Sequence, residues 1–136
     1  MKKIILLVLG AFSIISCDLG SGEANAEFVL APVQDVTMPA TYKVDSVSVI
    51  TVRYKRPDDC HIFNGYYYNP EGMTRTCAIE FAHLTNQSNC VADEEVYEVP
   101  LNFRPVTAGI YTFRFWDGTN PDGSQHFFEA EADVNY

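Results

Sequence analysis

Apolar and polar residues alternate with a period of two along most of this chain after residue 26, and no stretch sustains a helical repeat for three turns. The clearest segments lie in the last third. Tyr97, Val99, Leu101 and Phe103 alternate with Glu98, Pro100 and Asn102. Tyr111, Phe113 and Phe115 alternate with Thr112 and Arg114, and Phe128, Ala130, Ala132 and Val134 alternate with Glu129, Glu131 and Asp133. Each pattern predicts a strand with one face buried and the other wet.

The upstream segments are less regular. Residues 27–37 predict a weak strand in which Pro32 marks an edge or a break, since proline cannot donate to a ladder. Residues 41–55 predict a long β-branched strand. Val47 and Val49 share one parity there while Ile50, Val52 and Tyr54 share the other, which predicts a bulge or kink near Val49-Ile50. Residues 60–68 predict a third strand, closed by the turn residues Asn69-Pro70-Glu71-Gly72. Residues 73–84 predict a fourth, with Cys77, Ile79 and Phe81 on its apolar face. About seven short strands in one domain make an all-β, two-sheet antiparallel sandwich the expected architecture.

One local motif sharpens this. Phe103-Arg104-Pro105-Val106-Thr107-Ala108-Gly109-Ile110-Tyr111 reads as a strand, a corner and a new strand opened by Gly-x-Tyr. It resembles the tyrosine corner of immunoglobulin-like and fibronectin-type domains, which implies a Tyr111 phenol bonded back to the connecting backbone and a positive-φ Gly109. The single tryptophan departs from the antibody pattern, because Trp116 ends the sixth predicted strand instead of sitting on the third. The expected fold is therefore an immunoglobulin-like sandwich without the antibody core.

The start of the chain has a different texture. Lys2 and Lys3 precede an apolar run from Ile4 to Ile15, and Ser16-Cys17 follows directly. A run of about a dozen apolar residues is short for a bilayer span and has the anatomy of an export signal. The Ile14-Ile15-Ser16-Cys17 stretch resembles a bacterial lipoprotein signal, which implies cleavage before Cys17 and acylation of that cysteine. The competing reading is an ordinary secretory signal cut at Ala24-Asn25-Ala26. The expected organisation is a signal over residues 1–16, a flexible tether over 17–26, where glycine and small polar residues gather, and a sandwich over 27–136.

Charge narrows the partners. The chain carries 9 Lys+Arg against 18 Asp+Glu, a net −9, and the leader's two lysines make the remainder two units more acidic still. Such a surface repels nucleic-acid phosphates, so no nucleic-acid partner is expected. After Cys17 three cysteines remain. Cys60–Cys90 is the favoured disulfide, since both sit where turn-rich segments meet extended runs, with Cys60–Cys77 and Cys77–Cys90 as the alternatives. Cys77 alternates with Ile79 and Phe81 and reads as a small buried hydrophobe.

No catalytic constellation is visible. His61, His83 and His126 lack ligand spacing, no nucleophile elbow or phosphate loop is present, and Asp58-Asp59 and Asp93-Glu94-Glu95 sit in turn-like places. No catalytic residue, metal or cofactor is therefore expected. Asp117-Gly118-Thr119-Asn120-Pro121-Asp122-Gly123 has oxygen donors suited to Ca²⁺, but its spacing misses the EF-hand and its dipeptides are hairpin vocabulary, so it is read as a connecting loop. The aromatic surplus is more telling. Tyr66, Tyr67 and Tyr68 are consecutive, so at least one must leave the core face, and Trp116 and Phe127 have the parity opposite to their strands' apolar sets. These five residues are the candidate binding surface, for protein or for sugar rings.

Taken together, Cys17 in its signal, Cys60 before an aromatic-rich strand, Cys90 after the next strand and the stretch Gly109 to Trp116 resemble the small single-domain immunoglobulin-like lipoproteins of Bacteroidota. The resemblance implies a lipid-anchored, monomeric cell-envelope module, at the outer membrane or cell surface, without enzymatic activity. Its partners would be the membrane, through the anchor, and a protein or glycan ligand. Asp45-Ser46-Val47 also resembles the O-glycosylation acceptor of that phylum.

Overall fold

The computed structural model describes residues 25–136, and the signal, Cys17 and most of the tether expected from the sequence lie outside them. The described chain is all-β with no helix. Its nine strands are β1 (Ala26–Ala31), β2 (Asp35–Thr37), β3 (Tyr42–Lys43), β4 (Ser48–Lys55), β5 (His61–Glu71), β6 (Thr74–Leu84), β7 (Val96–Phe103), β8 (Gly109–Thr119) and β9 (Gln125–Asn135). They form a two-sheet sandwich: a six-stranded sheet of order β1-β6-β8-β9-β3 with β5 along β6, and a three-stranded sheet of order β2-β4-β7. The strands beyond the predicted seven are short segments of two and three residues.

Strand β6 organises the larger sheet. β5 runs antiparallel along one edge, while the other edge is shared: β8 pairs with Thr74–Cys77 and β1 with Ile79–Leu84. The β6–β8 and β3–β9 pairings are parallel, so the larger sheet is mixed where antiparallel pairing throughout was expected. The reason for the first is connectivity. Between β6 and β8 the chain crosses to the other sheet to make β7, and two reversals return it in its original sense.

Pro32 breaks the first predicted strand, and the break has a purpose. β1 belongs to the large sheet and β2 to the small one. The Val33 N–H donates to the Trp116 carbonyl at 2.8 Å and the Gln34 N–H to the Arg53 carbonyl at 2.8 Å, so consecutive residues bond to opposite sheets. Proline, with no N–H of its own to satisfy, suits the crossing point.

The expected bulge near Val49-Ile50 is absent. β4 pairs with β7 without interruption from Ser48 opposite Phe103 to Lys55 opposite Val96. Val47 and Val49 simply face solvent, 56% and 50% exposed, and the kink lies earlier, at Asp45 with φ 60°. The real bulges are elsewhere, between Phe63 and Gly65 and between Trp116 and Gly118. Both occur at glycines with positive φ, 125° and 134°, which lack the Cβ that would forbid that geometry. β5 also continues past Tyr68 through Pro70 to Glu71, which an edge strand tolerates.

Ile50, Val52, Leu101 and Phe103 from the small sheet pack against Cys77, Ile79, Phe81, Tyr111, Phe113 and Phe115 from the large one. Edge-to-face ring contacts tie the layers: Phe103–Phe113 at 4.9 Å, Phe103–Tyr111 at 5.1 Å and Tyr54–Phe81 at 5.4 Å. The tyrosine corner is formed, with the buried Tyr111 hydroxyl donating to the Thr107 carbonyl at 3.0 Å.

Gly109, at the foot of that corner, has φ 134°, and a Cβ there would lie 2.9 Å from the Met73 Cε. The methionine tip can move aside, whereas the backbone angle cannot change without disturbing the corner. Gly109→Ala is therefore expected to lower stability by about 1–2 kcal/mol through backbone strain. Urea unfolding checks it. Rescue of the loss by an added Met73→Ala would assign the cost to the clash instead.

Cys60 and Cys90 are disulfide-bonded, with Cα atoms 5.6 Å apart, and Cys77 is free and buried. Burial pushes the Cys77 thiol up to about 12, so it stays protonated and inert. The bridge pins the long β6–β7 connection to the start of β5, and a polar clasp reinforces it. Arg56 Nε donates to Asp93 Oδ2 at 2.7 Å, Arg56 Nη2 donates to the Tyr97 hydroxyl at 3.2 Å, and that hydroxyl donates to Asp93.

The Tyr97 hydroxyl, the Glu95 N–H and Arg56 together hold the Asp93 carboxyl well down, to about 2. Because the folded value lies below the unfolded one of about 3.9, the clasp stabilises fully above that value. Its contribution disappears as pH falls towards about 2. The stability difference between this protein and Asp93→Asn is thus expected to shrink between those limits. Urea unfolding at stepped pH measures it, and a difference that stays constant would contradict the clasp.

Candidate functional site

The five candidate aromatics separate according to the bulges. Along β5, Tyr66 pairs with Ile79, Tyr67 with Ala78 and Tyr68 with Cys77. Partners across a ladder share a face, so Tyr66 and Tyr68 take the core side and Tyr67 the outer side. The bulge at Asn64 sets this: it brings Phe63 and Tyr66 onto the same face, where their rings meet edge-on at 5.4 Å. Tyr66 packs against the core, and its hydroxyl donates to the Pro100 and Val99 carbonyls at 3.0 and 3.3 Å. Desolvation raises its pKa. Tyr68 lies at the rim, partly exposed, and its pKa is likewise raised by burial. Neither joins the surface expected of them.

Tyr67, Trp116 and Phe127 do come together. Trp116 pairs with Phe127 across β8–β9, both on the outer face of the large sheet by alternation with the core-facing pair Phe115–Phe128, and the Asp117 bulge comes only beyond them. With Leu30, Thr76 and Ala78 they line an open groove of about 350 Å³. Leu30 is the residue that sequence reading missed. Its alternation is a weak signal beside Pro32, and only the β1–β6 pairing carries it to this face.

The groove is mostly apolar, with Thr76 and Gln125 its polar side chains. The Trp116 Nε1–H is buried and has no acceptor among the described residues. The Arg114 guanidinium stands 4.3 Å from the Phe127 ring centroid and 3.6 Å from the Glu129 carboxylate. It thus places a positive charge next to the groove aromatics and shares it with an acid.

The 117–123 loop is held by its own side chains. His126 Nδ1 bonds Asp117 Oδ1, and Asp122 Oδ1 accepts from the Ser124 N–H at 2.9 Å and hydroxyl at 2.6 Å. The Ser124 bonds lower the Asp122 pKa. Asn120 closes the turn through the Ser124 carbonyl at 2.7 Å. The loop is a hairpin connection shorter than the sequence suggested, since Asp117, Gly118 and Thr119 belong to β8 and the turn begins at Asn120. Ser46 is exposed, in the turn after Lys43.

A second cluster was not foreseen. The rings of His61 and His83 stack in parallel at 4.1 Å, with Nδ1 of each on a carboxylate, Asp58 at 2.7 Å and Glu27 at 3.3 Å. His61 also holds the Asp58 pKa down. The Asn64 bulge shifts the β5–β6 register by one residue and so puts His61 opposite His83. A simple hairpin drawn from the sequence would have misaligned them.

No family model matches the chain, and no curated protein or solved structure is significantly similar to it.

Proposed function

We propose that this chain is a lipid-anchored cell-envelope module that acts without catalysis, by contact through the outer face of its larger sheet. The observation that carries this is the meeting of Tyr67, Trp116 and Phe127 with Leu30 in one groove. Residues from four strands brought to the solvent side of a sheet leave that face unusually apolar, and such patches mark interaction sites. The anchor itself rests on the sequence at Cys17. Two or more acyl chains there would hold the domain firmly to a bilayer, since each buried methylene contributes about 0.8 kcal/mol. The absence of catalysis is likewise a reading of the sequence.

A glycan ligand is the second reading, favoured by the three aromatic rings in the groove, whose faces suit stacking on sugars. Two experiments test these statements. Mass spectrometry of the amino-terminal peptide from exported protein is expected to find an acylated Cys17, and an unmodified start at Glu27 excludes the anchor. A glycan array is expected to show retention that Trp116→Ala abolishes if sugar is the ligand, and no retention otherwise.

A further inference from the structure

We propose that the outer face of the larger sheet lies on the lipid bilayer surface, with Phe28, Leu30, Ile62, Tyr67 and Trp116 seated at headgroup depth. This rests on the reading of Cys17 as the lipid anchor. The residues form a surface wider than the groove. Phe28 and Ile62 both pair with Ala82, one from each side, so they make a single cross-strand row. Leu30 follows two steps along β6, opposite Glu80, and Tyr67 four steps along, opposite Ala78. Phe28 is 68% exposed, Leu30 49%, Ile62 47% and Tyr67 44%. A compact ligand would fill the groove and leave the Phe28–Ile62 row in water, whereas a planar lipid surface covers both.

Tether length and attachment agree with this occupant. Nine residue steps separate Cys17 from Ala26, where β1 begins. A chain of that length reaches at most ~30 Å when extended and averages ~16 Å as a flexible coil. β1 itself carries Phe28 and Leu30, so the leash enters the domain on the strand that supplies part of the face. A tether this short gives the face a local concentration in the millimolar range, and weak apolar contacts then suffice to keep it docked. Trp and Tyr favour the membrane–water interface, where an amphipathic ring has one apolar and one wet side.

Polar groups on the face fit headgroup depth better than a sugar site. Groove side chains that could pair with sugar hydroxyls are few, Thr76, Gln125, the Tyr67 hydroxyl and the Trp116 Nε1–H, so many hydroxyls of a seated glycan would be desolvated without partners. Glu80, amid the apolar residues, accepts from Asn64 Nδ2 at 2.8 Å, and Arg114 lies along the Phe127 ring with its charge shared with Glu129. Of the other outward acids, Glu71 ends β5 opposite Thr74, while Glu129, Glu131 and Asp133 gather along β9. They orient β9 away from anionic lipid, so a zwitterionic bilayer is the expected partner.

Trp116 is the single tryptophan, which makes it a built-in depth probe. The lipidated mature protein should be reconstituted in phosphatidylcholine vesicles with plain acyl chains or with chains brominated near the headgroup. Flotation reports anchoring independently of emission. The expected result is co-flotation, a blue-shifted Trp116 spectrum, and loss of about half the emission in brominated vesicles, because the indole sits at the interface. Phe28→Ser with Leu30→Ser, both exposed positions, is expected to restore emission while flotation and the β-type circular dichroism persist. Protein that floats but emits equally in both vesicles overturns the docking and leaves the anchor standing. Protein that fails to float overturns the anchor and the docking with it. A Trp116 shift caused by oligosaccharide or by a protein partner, with none on vesicles, overturns the docking in favour of that ligand.

Discussion

Phe113→Ala is expected to cost about 3–5 kcal/mol of folding free energy, the usual range for emptying a buried aromatic site. Phe113 is fully buried at the centre of β8 and meets Phe103 of the opposite sheet edge-on at 4.9 Å. Its loss removes apolar burial and the ring contact, and leaves a cavity between two sheets that cannot close independently. A domain with total stability of about 5–15 kcal/mol is brought near its limit by such a change. Urea unfolding, followed by Trp116 fluorescence, gives the value. As a control, Phe28→Ala on the exposed outer face should stay within about 0.5 kcal/mol. Equal costs at the two positions would mean that the outer face is packed and the core does not lie between the two sheets.

Opening the Cys60–Cys90 bridge is expected to have the second largest effect, about 3–4 kcal/mol for a closed loop of this length in the chain-entropy view. The 30-residue separation encloses β5, β6 and the turn between them, so reduction frees the whole hairpin in the unfolded state. The comparison is between oxidised protein and the Cys60→Ala/Cys90→Ala variant, with Cys77 left in place because its burial keeps it inert. The Arg56–Asp93–Tyr97 clasp fastens the same connection. Removing the clasp from the disulfide-free variant should therefore cost more than removing it from the oxidised protein, since neighbouring restraints couple. Additive losses would show that the two act on separate parts of the loop.

Much of the architecture was legible because alternation encodes burial locally. Ile50, Val52 and Tyr54, Cys77, Ile79 and Phe81, and Tyr111, Phe113 and Phe115 all face the core as their parity required. The tyrosine corner was readable for the same reason: Gly109 and Tyr111 are two residues apart and act on backbone within the same turn. Failures cluster where one residue is inserted into a ladder. The parity break at Val49-Ile50 suggested a bulge, yet Val47 and Val49 are only exposed valines, which cost little on a surface. The true insertions, at Asn64 and Asp117, leave no parity break that stands out in sequence, and the glycines beside them resemble any loop glycine.

The candidate site divides along the same line. By itself the sequence determined that Tyr66, Tyr67 and Tyr68 could not all be buried and that Trp116 and Phe127 point away from their strands' cores, because side chains alternate strictly along an extended chain. It also determined the acidic balance and the two-layered, strand-only body. Only the tertiary structure decided that Tyr67 is the tyrosine of the three that joins Trp116 and Phe127, that Leu30 completes the groove, and that His61 stacks on His83. Those outcomes depend on which strands pair and in what register. Register is set by bulges and crossings such as Asn64 and Pro32, whose effect reaches residues distant in sequence and is therefore invisible in any local pattern.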